Sequence, residues 1–495
     1  MGTELARSIL PLLVPWIPAL AAPVAYVLGT KSEKARDLTA IIACFIPFVL
    51  ALFMIPGVLN GKILNFVLLS ENISPLPIEF MADPLSLIVI LAATFAWFLA
   101  TIYATQYMTH EHARNRFYFF WLLTAGATFG VFLSKNLFTL FINFEILSLA
   151  SWVLVIHSET KEAMEAGKKY LFMGIAGGLF LLFGVIMTYV QAGSLDLTTL
   201  GLLKNKGIIS QIIFFSYIIG FGVKAGMFPV HVWLPDAHPV APAPASALLS
   251  GVMIKAGAYG IIRTIYNVFG PELVRELGAH YVLAILASAG IILGSAVAIP
   301  QGNLKRMLAY SSIAMMGYII LGATFLTGRG LEGSVLHLFG HVFMKDTLFL
   351  AAGALMFKLD KKEISDYKGI GRKMPITMTC FTIAALSMIG LPPFVGFISK
   401  WFLVLGALDV GGIAFILFVI ILLNSSLMNA VYYMPIIVSA FFGEHDADDK
   451  VEIDEAPLAM LIPMVLLALA VLVFGIFPNL PLALIKLAVT GFGLT

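Results

Sequence analysis

Charge is scarce in this chain. Asp, Glu, Lys and Arg together make up 12% of its 495 residues, and the formal net charge is only +2. That excludes a nucleic-acid binder, which needs a dense basic face. Cysteine is almost missing: Cys44 and Cys380 both lie in apolar runs and form no metal or redox pattern, so they read as small packing residues. There is no glycine-rich nucleotide loop, zinc motif or nucleophile elbow, so nothing points to a nucleotide-dependent or hydrolytic enzyme. No cofactor and no metal ion is expected.

What is present is apolar sequence. Hydrophobic residues make up 60% of the chain, the mark of a polytopic membrane protein. A span needs about 20 apolar residues. Spans are predicted near 8–29, 37–59, 83–106, 116–133, 136–156, 168–191, 209–229, 245–269, 281–299, 303–326, 331–357, 375–391 with a continuation at 394–408, 411–442 and 457–477. The tail 481–495 reads as interfacial. The first run lacks a basic flank and a cleavage site, so it reads as a retained span rather than a signal peptide. Basic residues cluster in alternate loops, which orients the chain with both termini outside. The acidic stretch 443–456 runs against that bias and reads as a solvated linker or a docking patch for a basic partner.

The stretch 224–255, KAGMFPVHVWLPDAHPVAPAPASALLSGVMIK, organises the rest. Pro229, Pro235, Pro239, Pro242 and Pro244 cannot all sit in one continuous helix. A helix ending near Pro229, a break and a restart at 245–250 are predicted. Broken backbone is tolerated in a membrane only where protein or a wet cavity covers it, and ion pathways are built this way. His231, Asp236 and His238 either line the inside end of the break or form an interfacial loop.

Lys224, Lys255, Lys345 and Lys400 all fall inside predicted spans, as do Glu145 and Asp346. Each such charge costs about 2.5–3.5 kcal/mol at the bilayer centre, so function is the default reading. A carboxylate such as Glu145 is a tunable proton site, and a lysine shielded from water can exchange its proton near neutral pH. Glu145 or carbonyls freed by the break could hold the Lys224 cation. The structural alternatives are a carboxyl that merely ties helices together and a lysine that snorkels to the interface. His337, His341 and Lys345 recur every four residues and so share one helix face over about 12 Å, a spacing suited to a proton relay. Asp346 lies about 100° round that helix and faces a neighbouring subunit or another helix. Pro392 and Pro393 break a later span just before Lys400, as Pro229 breaks one just after Lys224, the pattern of two inverted repeats. Asp83 in MADPLS opens the third span, where an acid suits the helix N-terminus.

These motifs, the 224–255 stretch with Glu145 upstream and LPPFVGFISKW downstream, resemble the antiporter-like subunits of respiratory complex I and of Mrp-type sodium/proton antiporters. The resemblance runs from MADPLS to the final span. It implies an all-α integral membrane fold of about fourteen helices with two inverted five-helix repeats, each holding a broken helix. The implied organisation is helices 1–3 in 1–115, a first repeat in 116–269, a second in 270–442, then the acidic loop, a last helix and tail in 443–495. It implies a proton path through Glu145, Lys224, Lys255, His337, His341, Lys345 and Lys400. Members carry lysine or glutamate at the last position, and lysine resembles the Mrp D-type branch. Asp346 departs from the family pattern, in which a small residue is expected there.

The expected function is proton translocation, with or without exchange for sodium, by one subunit of an Mrp-type antiporter or a complex I-like assembly such as a membrane-bound hydrogenase in the cell membrane. Having no redox centre, the chain depends on partner subunits or an ion gradient for driving force. A stand-alone inverted-repeat solute transporter is the alternative, and a membrane-embedded enzyme the weaker rival.

Overall fold

The computed structural model describes residues 4–70, 76–443 and 453–494. Most of the acidic stretch expected at 443–456 lies outside these residues. The helices are α1 (Leu10–Gly29), α2 (Glu33–Leu59), α3 (Pro84–Tyr107), α4 (Arg114–Leu133), α5 (Leu137–Val155), α6 (Lys161–Ala192), α7 (Ile208–Ala225), α8 (Leu234–Val240) and α9 (Ala243–Glu276). After these come α10 (Ala279–Ala298), α11 (Leu304–Thr324), α12 (Gly328–Leu359), α13 (Pro375–Ile389), α14 (Val395–Val410), α15 (Gly412–Phe442), α16 (Leu458–Ile476) and α17 (Asn479–Gly491). Among the described residues, 12 helices are long and apolar enough to cross a membrane.

Local chemistry starts these helices. Asp83 caps α3 by accepting from the Ser86 amide at 2.7 Å, and Asn136 caps α5 through the Thr139 amide at 2.8 Å. Ser32, Thr160, Asn303 and Thr327 cap α2, α6, α11 and α12 in the same way. Each cap satisfies a backbone donor that the helix itself leaves free. The proline-rich stretch breaks where expected but restarts earlier. α7 stops at Ala225 with Gly226 in the left-handed region at φ 65°. α8 then tolerates Pro235 because it sits in the first turn, where no backbone donor is needed.

The helices are not equally covered. The apolar window of α9 is 100% buried and that of α11 94%, against 18% for α15 and 33% for α2 and α6. α9, α11 and α12 therefore form the protein-covered axis, and α2, α6 and α15 face the surroundings. α9 carries π-helical turns at Leu249–Met253 and Thr264–Phe269, irregularities that often mark functional positions.

Two details correct the sequence reading. The chain is not wholly α: strands β1 (Glu4–Arg7), β2 (Lys62–Leu69) and β3 (Ile78–Ala82) form a small sheet, with β1 parallel and β2–β3 antiparallel. Strands this short leave a weak periodic signal, and the pairing of β1 with β2 is remote in sequence. Arg263, well inside α9, and Lys305, in the first turn of α11, are further buried charges beside the four lysines singled out from the sequence.

Arg263 has a partner 180 positions away. Its Nη2 donates to Asp83 Oδ1 at 2.7 Å and to Ser86 Oγ at 3.0 Å, and its Nε to the Tyr259 hydroxyl at 2.9 Å. Asp83 thus both caps α3 and pins α9. Removing one member leaves the other charge uncompensated, so Arg263→Met or Asp83→Asn should destabilise the chain by about 3–5 kcal/mol. A melting curve of the purified protein checks this; an unchanged midpoint in both variants would count against the pair's structural role.

Candidate functional site

The buried charges are distributed along the axis, each with its own partners. Lys224 sits in the last turn of α7. Its Nζ donates to the Tyr170 hydroxyl at 2.5 Å and the Ser151 hydroxyl at 3.2 Å, and lies 5.1 Å above the Tyr170 ring. Glu145, on α5, packs its carboxylate so closely on α6 that a Cβ at Gly178 would meet Glu145 Oε1 at 2.3 Å. Among the described residues that oxygen has no hydrogen-bond partner. Lys224 is therefore held by Tyr170 and Ser151 directly, while Glu145 acts on it only through space. Among the described residues, neither carbonyls of the break nor an ion pair holds the ammonium. A cavity of about 10 Å³ lies beside Lys224, lined by Tyr170, Ser148 and Trp233 among others.

Lys255 and His341 face each other across α9 and α12. Lys255 Nζ is 2.6 Å from His341 Nδ1 and donates to the Ser250 carbonyl at 2.6 Å. One proton is shared along the N–N line. When the lysine is an ammonium, His341 Nδ1 must accept, which puts the ring proton on Nε2. The next ring, His337, stacks on His341 with centroids 5.9 Å apart. Its Nδ1 meets Ser399 Oγ at 2.9 Å and its Nε2 meets the Met315 sulfur at 3.3 Å. The Tyr318 ring links the next step, lying 5.4 Å from His337 and 5.0 Å from Lys400 Nζ.

Lys400 ends this line. Its Nζ donates to the Met388 carbonyl at 2.8 Å, the Ile389 carbonyl at 2.9 Å and Ser426 Oγ at 2.9 Å. Met388 and Ile389 close α13, so these carbonyls are freed by the helix end before Pro392 and Pro393. The negative end of a helix is a natural seat for an ammonium. Lys345 points elsewhere: it donates to the Leu308 carbonyl at 2.8 Å and to Ser311, which bonds Tyr433. It shares a helix with His337 and His341 but has its own polar partners on α11.

Asp346 is fully buried, so it faces another helix and not a neighbouring subunit. Its carboxylate presses on the π-helical turn of α9, where a Cβ at Gly251 would come within 1.8 Å of Oδ1. Lys255 is its electrostatic neighbour, and neither carboxylate oxygen has a hydrogen-bond partner among the described residues. The two break histidines separate. His238 is fully buried and stacks on Phe349 at 4.7 Å. His231 lies beside Phe228 at 5.7 Å. Asp236 is part-exposed at the edge, paired with Lys169 and with Arg306 at 3.7 Å.

Sequence reasoning missed the hydroxyl partners, Tyr170, Ser151, Ser311, Ser399, Ser426 and Tyr318, because such residues are common in any span. It also missed Lys305, whose Nζ donates to the Ala241 carbonyl at 2.5 Å.

A bundle of membrane-length helices around a buried file of lysines and histidines defines the class: a polytopic membrane protein with titratable groups in its interior. The chain belongs to the family described as NADH:quinone oxidoreductase/Mrp antiporter, whose transmembrane model matches residues 134–425. A second model, the N-terminus of complex I chain 5, matches residues 70–118. NADH-quinone oxidoreductase subunit N of Desulforudis audaxviator (strain MP104C) is 37% identical over 420 residues, 81% of this chain and 83% of the relative. A chain of the archaeal membrane-bound sulfane sulfur reductase superposes with a TM-score of 0.88 at 26% identity, covering 98% of each chain. A chain of the Mrp complex from Dietzia sp. DQ12-45-1b gives 0.86 at 21% identity over 97% of this chain and 96% of that one, a likeness of fold.

Proposed function

We propose that this chain is a proton-translocating subunit of a multisubunit membrane complex of the complex I, Mrp or related respiratory kind. Its path runs through Glu145 and Lys224 to Lys255, His341, His337 and Lys400, with Lys345 as a side branch through Ser311 and Tyr433. The observation that carries this reading is the Lys255–His341–His337–Lys400 line inside the most buried helices. Titratable groups spaced a few ångströms apart in a water-poor axis are costly to keep and suit proton transfer. The cavity beside Lys224, about 10 Å³, is room for roughly one water molecule, not for an organic solute. At Lys224 that suits the movement of a proton and not the passage of a solute.

Fourteen spans follow if α12 and the broken pair α13–α14 each cross once beside the twelve apolar helices. The repeats are 116–269 and 270–442, between an N-terminal unit 1–115 and a last unit 443–495. The α7–α8 break after Lys224 and the α13–α14 break before Lys400 support the inverted relation. The chain sits in the cell membrane, with the Lys169–Asp236–Arg306 edge on the inside by the basic-residue rule. Gentle purification followed by identification of the copurifying subunits tests the host assembly. Flux measured with choline in place of sodium separates proton movement from sodium exchange.

Glu145→Gln is the direct test of the first repeat. Glutamine keeps the shape against Gly178 and cannot change charge. Proton flux in vesicles should fall about 100-fold, the lower end of what a single proton carrier contributes, while the complex stays assembled. Normal flux would remove Glu145 from the path.

A further inference from the structure

A second titratable cluster stands apart from the axis, at the end of the bundle where α5 stops. Glu111 and His112 lie in the turn between α3 and α4, and His157 in the turn between α5 and α6. One ligand atom from each of the three lies within 4.8 Å of the others. The two imidazoles stack with centroids 5.2 Å apart. His112 is open to solvent, whereas His157 is only 1% exposed. We propose that Glu111, His112 and His157 form a binding site for one divalent transition-metal ion of the Zn²⁺ type, entered from the aqueous face beside His112.

The state of His157 is the independent observation. Its Nε2 is buried with no hydrogen-bond partner among the described residues, an expensive condition for a polar atom. An imidazole nitrogen in that condition can be satisfied as the lone-pair donor to a cation. Arg116 does not confront an incoming cation as a free charge. It is bound to the Glu159 carboxylate and donates to the His157 carbonyl at 3.0 Å. Glu159 Oε2 also stands 3.6 Å from His112 Nε2, an outer carboxylate for that ring. Two imidazoles and one carboxylate, with a further position open to water, are a donor set that suits zinc.

The two histidines are 45 positions apart and no local motif announces them. A bound ion would join the end of α3 to the end of α5, the helix that carries Glu145.

Zn²⁺ alone, titrated against a chromophoric chelator into tag-free complex, tests the site, with Co²⁺ and its visible d–d band as a second readout. We expect one high-affinity ion per chain at this cluster. His112→Ala and Glu111→Gln, both on the accessible side, should each weaken it at least tenfold. His280→Ala, on another turn, should leave it unchanged. Because His157→Gln disturbs a buried ring, its melting curve is recorded with the titration. Zn²⁺ binding that is undiminished in the His112→Ala/Glu111→Gln double variant, or wild-type binding no tighter than that double variant's, would overturn the proposal.

Discussion

Lys255→Met should cut proton flux at least about 100-fold, the lower end of what one positioned proton carrier contributes. Lys255 Nζ shares a proton with His341 Nδ1 at 2.6 Å. Methionine has similar bulk and carries no exchangeable proton. Replacing both members of a buried charge pair is often neutral or stabilising, whereas removing one is costly, so the assembly of the Lys255 variant is measured first. Its electrostatic neighbour Asp346 is left without a cation, and Lys255→Met/Asp346→Asn removes both charges if the single variant assembles poorly. Because Lys255 and His341 form one unit, Lys255→Met/His341→Ala should cost no more than the worse single change. His337→Ala/His341→Ala should behave alike if the stacked rings serve one file. A pH-sensitive dye in vesicles reads all of these. Additive losses would mean parallel routes and would break the single line.

At Lys400 the charge should matter less than its ability to come and go. The ammonium is already well seated, on two carbonyls of the α13 end and the Ser426 hydroxyl. Lys400→Arg keeps a cation there but cannot release a proton near neutral pH. Flux should therefore drop about as far as in Lys400→Met, again roughly 100-fold, with both complexes assembled. Lys400→Glu keeps a titrating group and should retain part of the flux. The two carbonyls at the α13 end oppose a carboxylate, so that variant should also melt lower than Lys400→Met. A fully active Arg variant would make Lys400 a fixed charge and would remove it from the proton path.

Much of this was legible in the chain itself. Hydropathy marks most of the spans, because about 20 apolar residues in a row have few other uses. A lysine or a carboxylate within such a run stands out by its cost, which is why Glu145, Lys224, Lys255, Lys345, Asp346 and Lys400 could be named at once. Proline marks the two breaks, because a missing backbone donor acts within its own helix. Asp83 could be read as a cap for the same reason: the Ser86 amide it serves is three residues away.

Partnership was not legible. Spacing suggested that Glu145 or freed carbonyls hold Lys224, yet packing of α5, α6 and α7 brings Tyr170 and Ser151 to its Nζ. Helical phase put Lys345 in file with His337 and His341, while the hydroxyl of Ser311 draws it towards α11. Lys255 and His341 are 86 positions apart, Asp83 and Arg263 180. Nothing local records either pairing. The sequence by itself determined which charges enter the membrane and where the helices break, since both follow from the chemistry of neighbouring residues. Only the tertiary structure decided which charge meets which hydroxyl, ring or carbonyl, since a hydrogen bond reaches about 3 Å and only helix packing brings remote side chains that close.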